Sequence, residues 1–224
     1  LYGFPSPDSD FDLRGVHVLP LREVIGLQRG RETIERMDDS HGLDLDLVTH
    51  DVGKFVRLMI KPNGYVLEQL FSPLVVVTTA AHAELCALGR RCVTQQHVRH
   101  YLGFADTQWR LFGKESPPRV KPLLYVYRVL LTGIHLLRTG EVQADLSVLN
   151  QDARLSHVDE LIAQKRAGAE QGTLDPRALA WHAGEYERLL GVLRGAVATS
   201  PLPAGLPDDV TRALHDFLVR VRLS

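Results

Sequence analysis

Residues 10–14 alternate charged and apolar side chains, with Asp10, Asp12 and Arg14 on one side of the backbone and Phe11 and Leu13 on the other. That two-residue period is the signature of a half-buried strand. Across Gly15 the apolar phase shifts to Val16 and Val18, which reads as a bulge, and Pro20 closes the segment. Leu21 to Leu27 reads as a short helix. Glu32 to Met37 reads as a second strand, joined by the turn-forming run Asp38-Asp39-Ser40-His41-Gly42 to a third. The third, Leu43 to Thr49, sets Leu43, Leu45 and Leu47 against Asp44 and Asp46. Val52 to Lys61 and Tyr65 to Phe71 follow as helices ended by Pro62 and Pro73.

Beyond Pro73 the period becomes helical. Helices are predicted over 74–90, 94–112, 119–139, 155–167, 174–198 and 207–222, with breaks at Gly113 to Pro118, Gly168 to Thr173 and Ser200 to Pro207. No internal repeat or low-complexity tract interrupts them. The expected fold class is α+β: a small mixed sheet flanked by helices over residues 1–73, then an all-helical domain over 74–224.

Composition narrows the function classes. The 224 residues are 45% hydrophobic and 24% charged, enough for a packed core and unlike disordered or fibrous chains. With 26 Lys and Arg against 27 Asp and Glu, no global basic field holds nucleic acid, and any such contact needs a local patch. Cys86 and Cys92 form neither a metal-ligand pair nor a disulfide framework, so a reducing, cytoplasmic compartment is the expectation. The apolar run Leu123 to Leu137 contains Arg128 and His135, so it is not read as a membrane span. No signal peptide is visible, and the chain begins at Leu1 without a methionine.

The sharpest chemical feature is Asp8-Ser9-Asp10-Phe11-Asp12. Two carboxylates two residues apart on a strand share a face about 7 Å apart, and their repulsion favours a cation between them. Oxygen-only ligands suit Mg²⁺ or Mn²⁺. A calcium-binding EF-hand loop is excluded, because Leu13 and Leu19 stand where its Gly and Glu belong. Asp44 and Asp46 offer a second pair. Were the two strands neighbours, these acids would converge on the face opposite the leucines, where three carboxylates holding two metal ions would make a phosphoryl-transfer site.

The helix over 119–139 carries Lys121, Tyr125, Arg128, Thr132 and His135 at alternating steps of four and three, a single polar stripe. An arginine inside an apolar helix calls for an anion, and a nucleotide or RNA phosphate would satisfy it bidentately. Lys121, Tyr125 and Arg128 are therefore candidate phosphate contacts. Lys54, Arg57 and Lys61 form a second basic stripe, read as a solvated face. His97 and His100 read as packing or capping residues, and Trp109, Trp181 and Tyr101 as core. The Arg128 to His135 and Arg91 to His97 spacings also fit, loosely, metal-independent ribonucleases of the HEPN type.

Leu1-Tyr2-Gly3-Phe4 and Asp8-Ser9-Asp10-Phe11-Asp12-Leu13-Arg14-Gly15 together resemble the start of the nucleotidyltransferases of the DNA polymerase beta superfamily, in the family associated with RNA-repair operons. The resemblance continues in His50-Asp51-Val52-Gly53-Lys54-Phe55, Val66-Leu67-Glu68-Gln69-Leu70-Phe71-Ser72-Pro73, His100-Tyr101-Leu102-Gly103-Phe104 and Lys121-Pro122-Leu123-Leu124-Tyr125. It ends in Asp159-Glu160-Leu161-Ile162-Ala163. It implies a nucleotidyltransferase sheet with Asp10 and Asp12 as paired metal ligands. Alternation leaves Asp44 and Asp46 equivalent; the resemblance favours Asp46 as the third carboxylate. It further implies an NTP substrate, Mg²⁺ or Mn²⁺, and an RNA 3′ end as acceptor. The superfamily's Gly-Ser, which holds the triphosphate, is expected just before Leu1, outside this chain. A noncatalytic nucleotide- or RNA-binding module is the alternative.

Overall fold

The alternating segments near the N-terminus form a three-stranded sheet. The computed structural model describes residues 1–5, 11–38, 45–167 and 172–224, in which β1 (Phe11–His17), β2 (Thr33–Asp38) and β3 (Leu45–Asp51) lie in the order β1-β3-β2. β1 runs parallel to β3 and β2 antiparallel to it, so the sheet is mixed and the fold is α+β. Among the described residues the helices are α1 (Leu21–Ile25), α2 (Val52–Ile60), α3 (Gly64–Leu70), α4 (Ala80–Cys92), α5 (His97–Phe112), α6 (Val120–Thr139), α7 (Leu146–Ala153), α8 (Ser156–Ala167), α9 (Leu179–Gly195) and α10 (Asp208–Leu223).

Several helix starts follow from short polar side chains that accept orphan N–H groups. Asp51 accepts from Gly53 N at 2.9 Å and Asn63 from Tyr65 N at 3.1 Å. Thr79 accepts from His82 N at 3.2 Å, and Asp145 from Ser147 N at 2.8 Å. Helix α6 stops at Gly140, whose φ of 79° is the left-handed closure that glycine adopts without strain.

The chain divides into two compact units, Asp10–Val93 with Gly205–Ser224, and Leu1–Ser9 with Thr94–Ala204. In the sheet unit α2 packs on β1, β3, α3 and α4, and α10 lies against α2 and α4. Its core holds Phe55, Val56 and Met59 of α2, Leu85 and Leu88 of α4, and Val210, Leu214 and Phe217 of α10. These repeat at three- and four-residue steps, and each contributes about 1.5–3 kcal/mol by leaving water. In the helical unit α6 is central, packed by α5, α7, α8 and α9. Fourteen of its 20 residues are buried, so its membrane-like length and apolar character reflect a core helix surrounded by protein. Gly133 lets α5 come close: a Cβ there would lie 2.7 Å from the Tyr101 Cβ.

The structure departs from the sequence expectations in identifiable places. The β1–β3 ladder runs residue for residue through Gly15↔Thr49, so no bulge forms, and Val16 and Val18 point outward at 40% and 48% exposure. Helix α4 begins at Ala80 rather than 74, because Leu74 to Val77 are exposed, β-branched for the most part, and lack a cap before Thr79. Helix α7 was not anticipated, and the segment expected as one helix over 174–198 is α9 between two short 3₁₀ turns. Trp181, expected in the core, is 51% exposed and lies edge-on against His157 and His182. Helices α4 and α10 bury their apolar faces in the sheet unit, and residues 1–5 group with the helices.

Candidate active site

Parallel pairing in register sets Asp12 directly beside Asp46, with Phe11 beside Leu45 and Leu13 beside Leu47. Paired residues on neighbouring strands point to the same face. Asp12, Arg14 and Val16 therefore share a face with Asp46, Val48 and His50, and β2 extends it with Thr33, Glu35 and Met37. Asp10, and the alternative acid Asp44, lie outside the described residues. Of the three carboxylates expected as ligands, the structure thus places two, and it brings them together.

Between them sits a cation that the sequence reading did not single out. Arg14 Nη2 donates to Asp12 Oδ1 at 2.7 Å and to Asp46 Oδ2 at 2.8 Å. Its Nη1 donates to the backbone oxygens of Asp46 at 2.8 Å and Leu13 at 3.0 Å, and Nε reaches Tyr65 Oη on α3 at 3.4 Å. Burial works against the Arg14 charge, but hydrogen bonds to Tyr65 and Asp46 outweigh it and hold the guanidinium above its ordinary pKa. The signal was present in the alternation: Arg14 stands two residues after Asp12 and so shares its face.

The donor set fits a hard divalent cation. Two carboxylates that both bind one nitrogen accept a positive centre between them, and the Asp12 side chain, 66% exposed, leaves it open to solvent. Among the described residues no third Asp, Glu, His or Cys joins them in a metal-holding group.

The end of β3 is anchored from the C-terminus. Asp51, 1% exposed, accepts from Arg222 Nη2 at 2.6 Å, Leu19 N at 3.1 Å and Gly53 N at 2.9 Å, and Arg222 also donates to Leu19 O at 3.2 Å. Gly53 leaves room for this pair, since a Cβ would meet Arg222 Nη2 at 2.8 Å and Asp51 Oδ2 at 3.0 Å. Burial alone would raise the Asp51 pKa, but the Arg222 and backbone hydrogen bonds outweigh it and hold the carboxyl below its usual value. The unfolded chain therefore takes up the proton first, near pH ~3.9. The stability Asp51 supplies is complete above that pH and is lost as pH falls through the lowered folded value. Asp51→Asn is expected to cost about 3 kcal/mol at pH 7, by leaving Arg222 uncompensated. In urea denaturation the variant should also show a smaller decline in stability below pH 5 than the wild type.

The expected phosphate contacts on α6 fare differently. Lys121 and Tyr125 are half-buried, whereas Arg128 is 0% exposed. Its guanidinium lies 4.1 Å from the centroid of the Tyr2 ring, with Phe104 and Tyr125 at 5.7 and 5.8 Å. The polar stripe runs into the interior at Arg128 and Thr132, as expected for an arginine inside an apolar helix. Arg128 is enclosed in this arrangement, with aromatic faces around its charge. Of the Arg128 and His135 pair, Arg128 is buried and His135 half-buried. Arg91 pairs with Asp209, and buried His97 accepts from Thr94 N at 3.2 Å. In the basic stripe on α2, Arg57 pairs with Glu32 and Lys54 donates to Thr33, as suits a mainly solvated face.

Comparison with known proteins adds a family. The model of the RNA repair pathway DNA polymerase beta family matches residues 1–220. The chain is 32% identical over 151 residues to the uncharacterized protein MJ0002 of Methanocaldococcus jannaschii, covering 66% of this chain and 60% of that protein. It is 27% identical over 201 residues to the uncharacterized protein YcgL of Bacillus subtilis, covering 88% of this chain and 73% of that one. No solved structure matches.

Proposed function

The chain belongs to the RNA repair pathway DNA polymerase beta family, and from that premise we propose that it moves a nucleoside monophosphate from an NTP to an acceptor hydroxyl, using Mg²⁺ or Mn²⁺. The observation that carries this reading is the pairing of Asp12 with Asp46 on neighbouring parallel strands, around a cation. Asp10, two residues before Asp12, is the third acid of the proposed ligand set.

When bound, the divalent ion neutralises phosphate charge and acidifies the attacking hydroxyl. The two strands hold their carboxylates on one face, so no reorganisation is needed when charge develops. Asp46 takes the hydroxyl proton as the new oxygen–phosphorus bond forms at the α-phosphorus. The bond to the bridging oxygen breaks, and pyrophosphate leaves with the electron pair. Lys121 and Tyr125 are proposed to contact polyphosphate or RNA on the helical unit, while Arg128 holds α6 in place. The acceptor in keeping with the family is an RNA 3′ end, and the proposed setting is the cytoplasm.

The test is to incubate the full-length protein with Mn²⁺, each labelled NTP in turn, and total RNA or protein. Label entering RNA with release of pyrophosphate is the expected result. Binding of NTP without pyrophosphate release would instead identify a noncatalytic module, and RNA cleavage that persists in EDTA would identify a ribonuclease.

A further inference from the structure

We propose that Arg14 is the resident cation of the carboxylate pair, so that a divalent ion loads by exchange against its guanidinium; this rests on the metal reading above. An arginine has five N–H donors, and each of Arg14's has an acceptor. They divide into two sets. Two, both on Nη2, go to Asp12 Oδ1 and Asp46 Oδ2. The other three go to the backbone oxygens of Leu13 and Asp46 and to Tyr65 Oη, none of which is a carboxylate.

A divalent ion contests only the first set. The same two oxygens serve one cation at a time, because a like charge a few Å away costs about 1 kcal/mol or more even in water. Loading therefore breaks the two Nη2 contacts, while Nη1 and Nε keep the guanidinium tethered beside the site, ready to return when the ion leaves. Without metal, Arg14 offsets the repulsion between two adjacent carboxylates and keeps them in register. With metal, it lowers the site's affinity for the free ion. Arg14 is thus a positioning residue whose role differs from that of a ligand.

The experiment is Mn²⁺ binding, measured by calorimetry without nucleotide, on the wild type, Arg14→Gln, Arg14→Lys and Asp12→Asn. Removing the competing charge in Arg14→Gln should tighten Mn²⁺ binding about tenfold. Arg14→Lys should stay near the wild type, and Mn²⁺ should raise the melting temperature of Arg14→Gln more than that of the wild type. If Arg14→Gln binds Mn²⁺ equally or more weakly while Asp12→Asn abolishes binding, the exchange is wrong and the metal site stands. Binding undiminished in Asp12→Asn would overturn both. Should Arg14→Gln fail to fold, Mg²⁺ titration of the wild type, followed by NMR of the arginine guanidinium protons, decides. The Arg14 signals are expected to move, and signals unchanged at saturation would refute the exchange.

Discussion

Asp12→Asn and Asp46→Asn, each made alone, are expected to lower nucleotide transfer at least about a thousandfold, because the loss of a carboxylate from the cation site removes several kcal/mol of transition-state stabilisation. The fold should survive both changes. The Asp12 side chain is 66% exposed and that of Asp46 31% exposed, and ion pairs at such positions are worth about 0–1 kcal/mol. An asparagine also keeps an oxygen that Arg14 Nη2 can reach. Label transfer and urea denaturation on the same preparations separate the two effects. Retained activity in either variant would remove that residue from the chemistry, and a large drop in stability would make the pair structural.

Arg128→Ala should do the reverse, with a stability loss of about 3–5 kcal/mol. The substitution empties the space of a 0%-exposed side chain at the centre of α6 and removes the charge that faces the Tyr2 ring at 4.1 Å. Tyr2 is itself held in place: its carbonyl accepts from Leu146 N at 3.0 Å, and the neighbouring Gly3 carbonyl accepts from Arg166 at 2.6 Å. Gly3, at φ 85°, packs where any Cβ would overlap the Asp145 carboxylate. Loss of Arg128 therefore also loosens the Tyr2–Gly3 segment. Arg128→Met should recover part of the loss, since an apolar side chain of similar length refills the space. Both tryptophans, Trp109 and Trp181, belong to the helical unit, so their fluorescence follows its unfolding directly. A change below about 1 kcal/mol would contradict the structural role and return Arg128 to consideration as a substrate contact.

The strand period was the most legible element in the sequence. Alternation located β1 and β3 and set Asp12 and Asp46 opposite the leucines; that the two strands are neighbours in register required the structure, because no local pattern specifies a partner strand. Arg14 lay in plain view two residues from Asp12, yet a charge on a strand reads as solvated until its cross-strand partner is known. Asp51 and Arg222 lie 171 residues apart, and their pairing has no sequence signature. Spacing placed Arg128 inside an apolar helix, but the aromatic rings around it come from the N-terminus, α5 and α6 together and have no local signature. Helix α7 was missed although Asp145 followed by Ser147 is a cap signal, because eight residues show too little of a helical period.

The central claim is that acids of β1 and β3 gather around a divalent ion. Crystals soaked in Mn²⁺ test it most directly through anomalous scattering. The account predicts manganese peaks within metal–oxygen bonding distance, about 2.0–2.6 Å, of Asp12 and Asp46 carboxylate oxygens. Peaks only at other positions, with Arg14 still bridging the two aspartates at saturating metal, would contradict it.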